Sequence, residues 1–181
     1  MKLNVLFFAI LIMASCSKVK KKEGLSQMAI NESVQKKTQT KNDDLKIYDF
    51  DGFEKFLNQK DDKIHVINFW ATWCGPCVKE LPYFEKIHET YKDKNVEVLL
   101  VSLDFPHQYD SKLKPFIKDK KLKSKVIALD DPDMNTWIPK VDPSWSGALP
   151  ATIIYKNDQS AFFEQSFTFE SLEKEIKPFL K

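Results

Sequence analysis

One junction restricts the fold of this chain more than any other part of it. An apolar run at residues 64–70 leads within three residues to the pentapeptide WCGPC at residues 73–77. A nearly continuous apolar run of this length is typical of a parallel strand that is buried on both faces. From residue 76 to about residue 92 the apolar side chains recur at helical spacing, which predicts a helix. The thiols of Cys74 and Cys77 are therefore expected where a buried strand passes into a helix.

The remaining pattern alternates strands with helices and ends in a hairpin and a helix. Strands are predicted at residues 45–50, 96–103, 126–129, 151–155 and 161–165, and helices at residues 52–58, 111–121 and 169–180, with one or two helical turns at residues 131–138. The last two strands are expected to form a hairpin around residues 156–159. This order predicts an α/β fold with a central mixed sheet flanked by helices.

The chain has three cysteines, and an odd number in an exported protein needs an explanation. Residues 1–15 have the features of a signal peptide, because Lys2 precedes an apolar segment too short to span a bilayer comfortably. The small residues before Cys16 resemble the bacterial lipobox, in which cleavage leaves that cysteine as a lipidated N-terminus. Ordinary secretory cleavage is the alternative. If Cys16 is lipidated, Cys74 and Cys77 can pair only with each other.

Residues 16–44 are predicted to form a flexible tether that holds a folded domain of residues 45–181 away from the membrane. The segment is polar and rich in lysine, and from residue 17 onward it cannot bury enough apolar surface to fold alone. Its lysines could also contact anionic headgroups, with a plain solvated linker as the alternative. The net charge of the chain, +2, gives no reason to expect binding to nucleic acid.

The CxxC motif can be a redox pair, half of a zinc site, or a structural accident. A structural zinc site needs four ligands, and the chain has no further cysteine and only scattered histidines. A redox pair fits the predicted position better, because free N–H groups at a helix N-terminus favour the thiolate of Cys74. Pro76 suits the first helical turn, where its missing N–H has no consequence. Cys77 is expected one turn further along and more deeply buried.

Two separated motifs resemble those of thioredoxins. The segment FWATWCGPC at residues 69–77 resembles the active-site segment of that family, and Pro82 stands where thioredoxins have a proline that kinks the helix. The segment LPAT at residues 149–152 resembles their cis-proline loop. The resemblance covers about residues 45–181 and implies a thioredoxin-like fold.

The resemblance also implies how a partner is bound. Pro150 is expected to pack against the CxxC motif, and the backbone of Leu149 to pair with an extended substrate segment. Further substrate contacts are implied for the residues around the reactive sulfur, Trp73, Gly75 and Pro76.

A subgroup of the family is indicated by two residues. Thioredoxins have a buried aspartate at the position of Asn68, and an amide cannot accept the proton. The pattern WCxPCxxExP, which contains Glu80, resembles the membrane-anchored TlpA/ResA-like thiol–disulfide oxidoreductases, in which that glutamate tunes the active-site thiols. A solvated helix residue is the alternative for Glu80. The group also has a mid-domain insertion, for which the predicted helix and strand of residues 111–129 are the candidate.

The resemblance implies an enzyme that exchanges disulfides with protein partners through Cys74 and Cys77, with Glu80 accepting or relaying a proton. We expect a monomeric reductase of the cytochrome c maturation type on the periplasmic side of the bacterial cell envelope. It would be anchored by lipid and supplied by an upstream membrane electron donor. No cofactor is expected besides the redox-active disulfide.

Two other functions are weaker alternatives. Thiol-dependent peroxidases of this fold resemble one another in positioning peroxide with Arg and Thr around a single attacking cysteine, and this chain has no Arg. A copper-handling chaperone of this fold would need a downstream histidine ligand, and His107 is the one candidate. The alternative for His107 is a surface residue without a role in the site. Asp104 is a second candidate for proton handling. Trp137 and Trp145 could line a substrate groove or pack on the core.

Overall fold

The computed structural model describes residues 45–180. The predicted signal peptide, the lipidation of Cys16 and the tether up to residue 44 lie outside the described residues. Within residues 45–180, no helix is both long and apolar enough to cross a membrane.

A six-stranded mixed sheet organises the described part of the chain, with the strand order β1-β4-β3-β2-β5-β6. The strands are β1 (Lys46–Tyr48), β2 (Ile64–Trp70), β3 (Val96–Ser102), β4 (Lys125–Leu129), β5 (Ala151–Lys156) and β6 (Gln159–Phe163). The helices are α1 (Phe50–Phe53), α2 (Gly75–Tyr91), α3 (Lys114–Lys120), α4 (Met134–Val141) and α5 (Phe169–Ile176). Strands β1 to β4 pair in parallel, whereas β5 is antiparallel to both β2 and β6.

Strand β2 lies inside the sheet, and every one of its residues is buried. Its side chains alternate between the two faces, as the pleat of a strand requires. Ile64, Val66 and Trp70 pack in one core cluster with α2 and α5, and Ile67 and Phe69 pack in the other with α1 and α4. The sheet is therefore covered by helices on both faces, which confirms the predicted α/β fold with a mixed sheet.

Helix α2 begins directly after the first cysteine of the motif. Cys74 is the N-cap, with extended backbone angles, and its sulfur accepts a hydrogen bond of 3.3 Å from the backbone N–H of Cys77. Pro76 lies in the first turn, where no intrahelical donor is needed. Pro82 lies within the helix and cannot donate the usual bond to the preceding turn. The predicted junction between strand and helix is confirmed.

Two helices begin two residues earlier than predicted, and helix α4 lies three residues later than the turns predicted at residues 131–138. Helix α1 begins at Phe50 and not at residue 52, because the carboxylate of Asp49 caps it by accepting from the Gly52 N–H at 2.8 Å. It continues as a 3-10 turn, Glu54–Phe56. The lysine-rich helix predicted from residue 111 begins earlier, as a π-helical turn at Tyr109–Leu113 that leads into α3.

The hairpin has a two-residue turn, shorter than the predicted turn of four residues. Strands β5 and β6 stay paired up to the end of the hairpin, where Lys156 lies opposite Gln159. Asn157 takes a left-handed φ of 54°, which asparagine tolerates better than most residues. Strand β4, in the segment predicted as an insertion, lies inside the sheet between β1 and β3.

Candidate active site

The two cysteines of the motif form a disulfide, with their Cα atoms 5.3 Å apart. Cys74 retains 6% of its surface exposed, whereas Cys77 has none. Around Cys74 the neighbours Trp73, Gly75 and Pro76 are exposed, and a Cβ added at Gly75 would meet no atom within 4 Å. A partner can therefore reach Cys74 from outside, and Cys77 lies beneath it as predicted.

The second motif of the resemblance lies at the same end of the sheet. The Leu149–Pro150 peptide bond is cis, as the resemblance implied, and Pro150 is buried. The next residue, Ala151, pairs with Phe69 across the antiparallel ladder between β5 and β2. Since β2 ends at Trp70, the cis-proline loop enters the sheet beside the end of the strand that leads to the cysteines. The predicted substrate contacts of Leu149 and Pro150 stay predictions.

Glu80 lies on α2, one turn past Cys77, and only 1% of its surface is exposed. Its Oε1 accepts a hydrogen bond of 3.0 Å from Asn68 Nδ2, and its Oε2 accepts one of 2.8 Å from the backbone N–H of Phe167. Burial raises the pKa of Glu80 to about 7, although both hydrogen bonds act in the opposite direction. The alternative of a solvated helix residue is therefore wrong.

Asn68 connects this carboxylate with the strand that follows the cis-proline loop. The same Nδ2 group donates to Thr152 Oγ1 at 3.1 Å, and Asn68 pairs with Thr152 in the β2–β5 ladder. Asn68 Oδ1 is buried without a hydrogen-bond partner. Thr152 and Phe167 were missed by the sequence analysis. Thr152 could have been found from the pairing of β2 with β5, whereas nothing in the local sequence around Phe167 marks its backbone as a donor.

Asp104 is a second buried carboxylate, at the end of β3. It accepts hydrogen bonds from the backbone N–H of Thr72 at 3.0 Å, from Thr72 Oγ1, and from Ser102 Oγ at 2.8 Å. These donors belong to the loop before Cys74 and to the strand end itself. The carboxylate thus fixes the position of the active-site loop, and its contacts give no support to the predicted role in proton handling.

Trp137 and Trp145 are buried in the core cluster that also contains Phe50 and Phe69. The indole of Trp137 donates to the Asp131 carbonyl at 3.1 Å, and that of Trp145 donates to the Ala148 carbonyl at 2.9 Å. Of the two alternatives for these tryptophans, packing on the core is the one observed. His107 is exposed, as expected of a surface residue. In the described residues, no group of three or more His, Cys, Asp or Glu side chains is arranged to hold a metal ion.

Known proteins of related sequence include enzymes with this chemistry. The AhpC/TSA family matches residues 36–160 of the chain. The thiol–disulfide oxidoreductase ResA of Bacillus thuringiensis subsp. konkukian (strain 97-27) is 29% identical over 135 residues, which cover 75% of this chain and 72% of that protein. The protein of the same name from a strain of Bacillus cereus is 32% identical over 113 residues, or 62% of this chain and 60% of the relative.

Solved structures show the same architecture. A DsbF homologue from Corynebacterium diphtheriae superposes with a TM-score of 0.53 at 25% sequence identity, over 65% of this chain and 73% of that one. A secreted thiol–disulfide isomerase from Corynebacterium glutamicum superposes with a TM-score of 0.55 at 21% identity, over 66% and 72% of the two chains. The chain therefore belongs to the AhpC/TSA family and is a thiol–disulfide oxidoreductase with a thioredoxin-like fold.

Proposed function

We propose that the protein reduces disulfides of protein partners outside the cytoplasm, while a lipid on Cys16 holds it at a membrane. The observation that carries the mechanism is the buried carboxylate of Glu80, one helical turn past Cys77, whose pKa burial raises to about 7. A group with a pKa near the working pH can both accept and return a proton.

The reduced protein begins the reaction with the thiolate of Cys74, which the start of helix α2 favours. This thiolate attacks one sulfur of the partner's disulfide, and the other partner sulfur leaves as a thiolate. Cys77 gives its proton to Glu80 and attacks the Cys74 sulfur. The second partner thiolate is then released, and the Cys74–Cys77 disulfide closes. Two electrons have passed from the dithiol to the partner.

The direction of electron flow is inferred from the residues between the cysteines. Gly75 and Pro76 form the dipeptide found in reducing thioredoxins, whose potential is about −270 mV. We infer a monomeric reductase that needs no cofactor besides its disulfide and is recharged by a membrane electron donor. Its partners would be exported thiol proteins, such as apocytochromes before haem attachment, with the partner segment paired along the Leu149 backbone. The likeness to the ResA proteins supports this choice.

Two cysteine variants test the mechanism. Cys74→Ser is expected to abolish reduction of a protein disulfide such as that of insulin, because the remaining thiol, that of Cys77, is fully buried and out of a partner's reach. Cys77→Ser is expected to accumulate disulfide-linked partners in cells, because the mixed disulfide can no longer be resolved. Turnover retained in Cys74→Ser would overturn the scheme.

Direction and anchoring are tested separately. A reduction potential near that of DsbA, about −120 mV, would make the protein an oxidant and contradict the proposed direction. Cys16→Ala is expected to move the protein from the membrane fraction to the soluble fraction and to leave insulin reduction unchanged. Membrane association that survives this substitution would contradict the lipid anchor.

A further inference from the structure

Three aromatic side chains form a continuous surface next to the disulfide. Trp73 and Phe105 are 53% and 52% exposed, and their rings are nearly parallel, with centroids 6.1 Å apart and an interplanar angle of 22°. The imidazole of His107 continues the stack, 5.8 Å from the Phe105 ring at an angle of 15°. We refer to these three rings as the aromatic ladder. Its first ring belongs to the residue immediately before Cys74.

The positions of the rings in the aromatic ladder are fixed by hydrogen bonds between the two loops that carry them. Trp73 lies on the active-site loop, and Phe105 lies on the loop that follows β3. Asp104 joins the two loops, because its carboxylate accepts hydrogen bonds from both the N–H and the hydroxyl of Thr72. Pro106 opens a 3-10 turn, Pro106–Gln108, which carries His107. The stacking of exposed rings from two separate loops therefore follows from a buried anchor.

We propose that the aromatic ladder binds the polypeptide segment beside the partner's reacting cysteine, and that Phe105 selects an apolar or aromatic side chain there. The partner's sulfur must approach Cys74, so the residues that flank it come to lie beside Trp73. Exposed apolar surface of this kind indicates an interaction site.

The chemistry of the ladder decides which segment it fits. Neither Trp73 nor Phe105 offers a charge, and their ring faces favour other rings and apolar groups. The two spacings between the three rings match roughly three to four residues of an extended segment. This inference rests on the proposed function in taking the partner to be a polypeptide.

Two disulfide peptides that differ only in Phe or Ser beside the cysteine test the proposal, with hydroxyethyl disulfide as a small probe. For Phe105→Ala, we expect the kcat/KM for the Phe peptide, divided by that for hydroxyethyl disulfide, to fall about three- to tenfold through KM. The same ratio for the Ser peptide should change less than about twofold. Ile47→Ala is the control, since Ile47 is 50% exposed but lies on the edge strand β1. It should leave both ratios unchanged.

Equal losses for the Phe and Ser peptides would overturn the proposal, because Phe105 would then act on the disulfide loop and not on the neighbouring residue. Phe105→Ala could instead leave the peptide ratios unchanged and weaken binding to lipid vesicles or self-association of the protein. Either result would also overturn the proposal, because the aromatic ladder would then bind a lipid surface or a second copy of the chain. Binding of the Phe peptide with its cysteines replaced by Ser separates the ladder from catalysis. Phe105→Ala should weaken that binding by the same factor, even if the chain reduced no disulfide.

Discussion

Two buried carboxylates lie near the reactive disulfide, Glu80 on the helix that follows it and Asp104 against the loop that precedes it, and they differ in the groups that donate hydrogen bonds to them. The Glu80 carboxylate accepts one hydrogen bond from the side-chain amide of Asn68 and one from the backbone N–H of Phe167. Burial raises the pKa of Glu80 to about 7. The Asp104 carboxylate accepts hydrogen bonds from the backbone N–H and the hydroxyl of Thr72 and from the hydroxyl of Ser102. Burial of the side chain alone therefore does not assign a role to a carboxylate, since both are almost fully buried. We propose that Glu80 exchanges a proton, whereas the donors around Asp104 join this carboxylate to the loop that contains Thr72.

Between the two carboxylates, the largest expected effect comes from Glu80→Gln, which keeps the size of the side chain and removes its titration. We expect kcat/KM for a protein disulfide at pH 7 to fall about a hundredfold, the usual scale for losing a general acid–base group. The inflection near pH 7 in the pH–rate profile should disappear. Steady-state rates between pH 5 and 9 provide the measurement, and an inflection that survives in the variant would remove Glu80 from proton transfer.

The second prediction concerns stability and pH in the oxidised protein. The folded state raises the pKa of Glu80 from the ordinary 4.5 to about 7, so it binds this proton more tightly than the unfolded chain does. The stability contributed by the protonated group is fully present below pH 4.5 and is lost as the pH rises to about 7. The loss amounts to about 3 kcal/mol. Urea unfolding of the wild type and Glu80→Gln should show curves that diverge across this window. Parallel curves would contradict the assignment.

The third and smallest effect is expected from Asp104→Asn. The variant loses the charge that strengthens the hydrogen bonds from Thr72 and Ser102, which should destabilise the fold by about 2 kcal/mol. Urea unfolding at pH 8 measures the change. The inflection of the pH–rate profile should stay where it is in the wild type. If that inflection disappeared, as it is expected to do in Glu80→Gln, Asp104 would belong to the proton path, and the contrast between the two carboxylates would fail.

The central part of the fold and site could be predicted because its signals are local. The run that forms β2 and the helical spacing of α2 follow one another directly, and observed bounds match prediction to within a residue at the start of each. The placement of Cys74 and Cys77 follows from that junction. Glu80 was indicated by the resemblance of the pattern WCxPCxxExP to the TlpA/ResA-like oxidoreductases, and its burial follows from its position on the same helix face as Cys77.

The surroundings of Glu80 depend on contacts between distant parts of the chain. Asn68 and Thr152 are 84 positions apart, and Phe167 donates to Glu80 across 87 positions. Backbone donors leave no trace in residue type, so the role of Phe167 could not be predicted. Asp104 was singled out by its place at a strand end, but only the donors around it show that it anchors a loop.

The pairing of β5 with β2 has a consequence for how the chain can vary. Phe69 lies opposite Ala151 because β2 and β5 are hydrogen-bonded to each other in this register. The length of the chain that connects the two strands does not affect this pairing. Helix α3 and its connection to β4 could therefore lengthen or shorten in related chains without displacing the cis-proline loop from the cysteines. A shift of β5 by a single residue, in contrast, would turn Thr152 to the opposite face and away from Asn68. We expect an insertion outside the β2–β5 pairing to leave the cis-proline loop in place, whereas a change of register would displace Thr152 from Asn68.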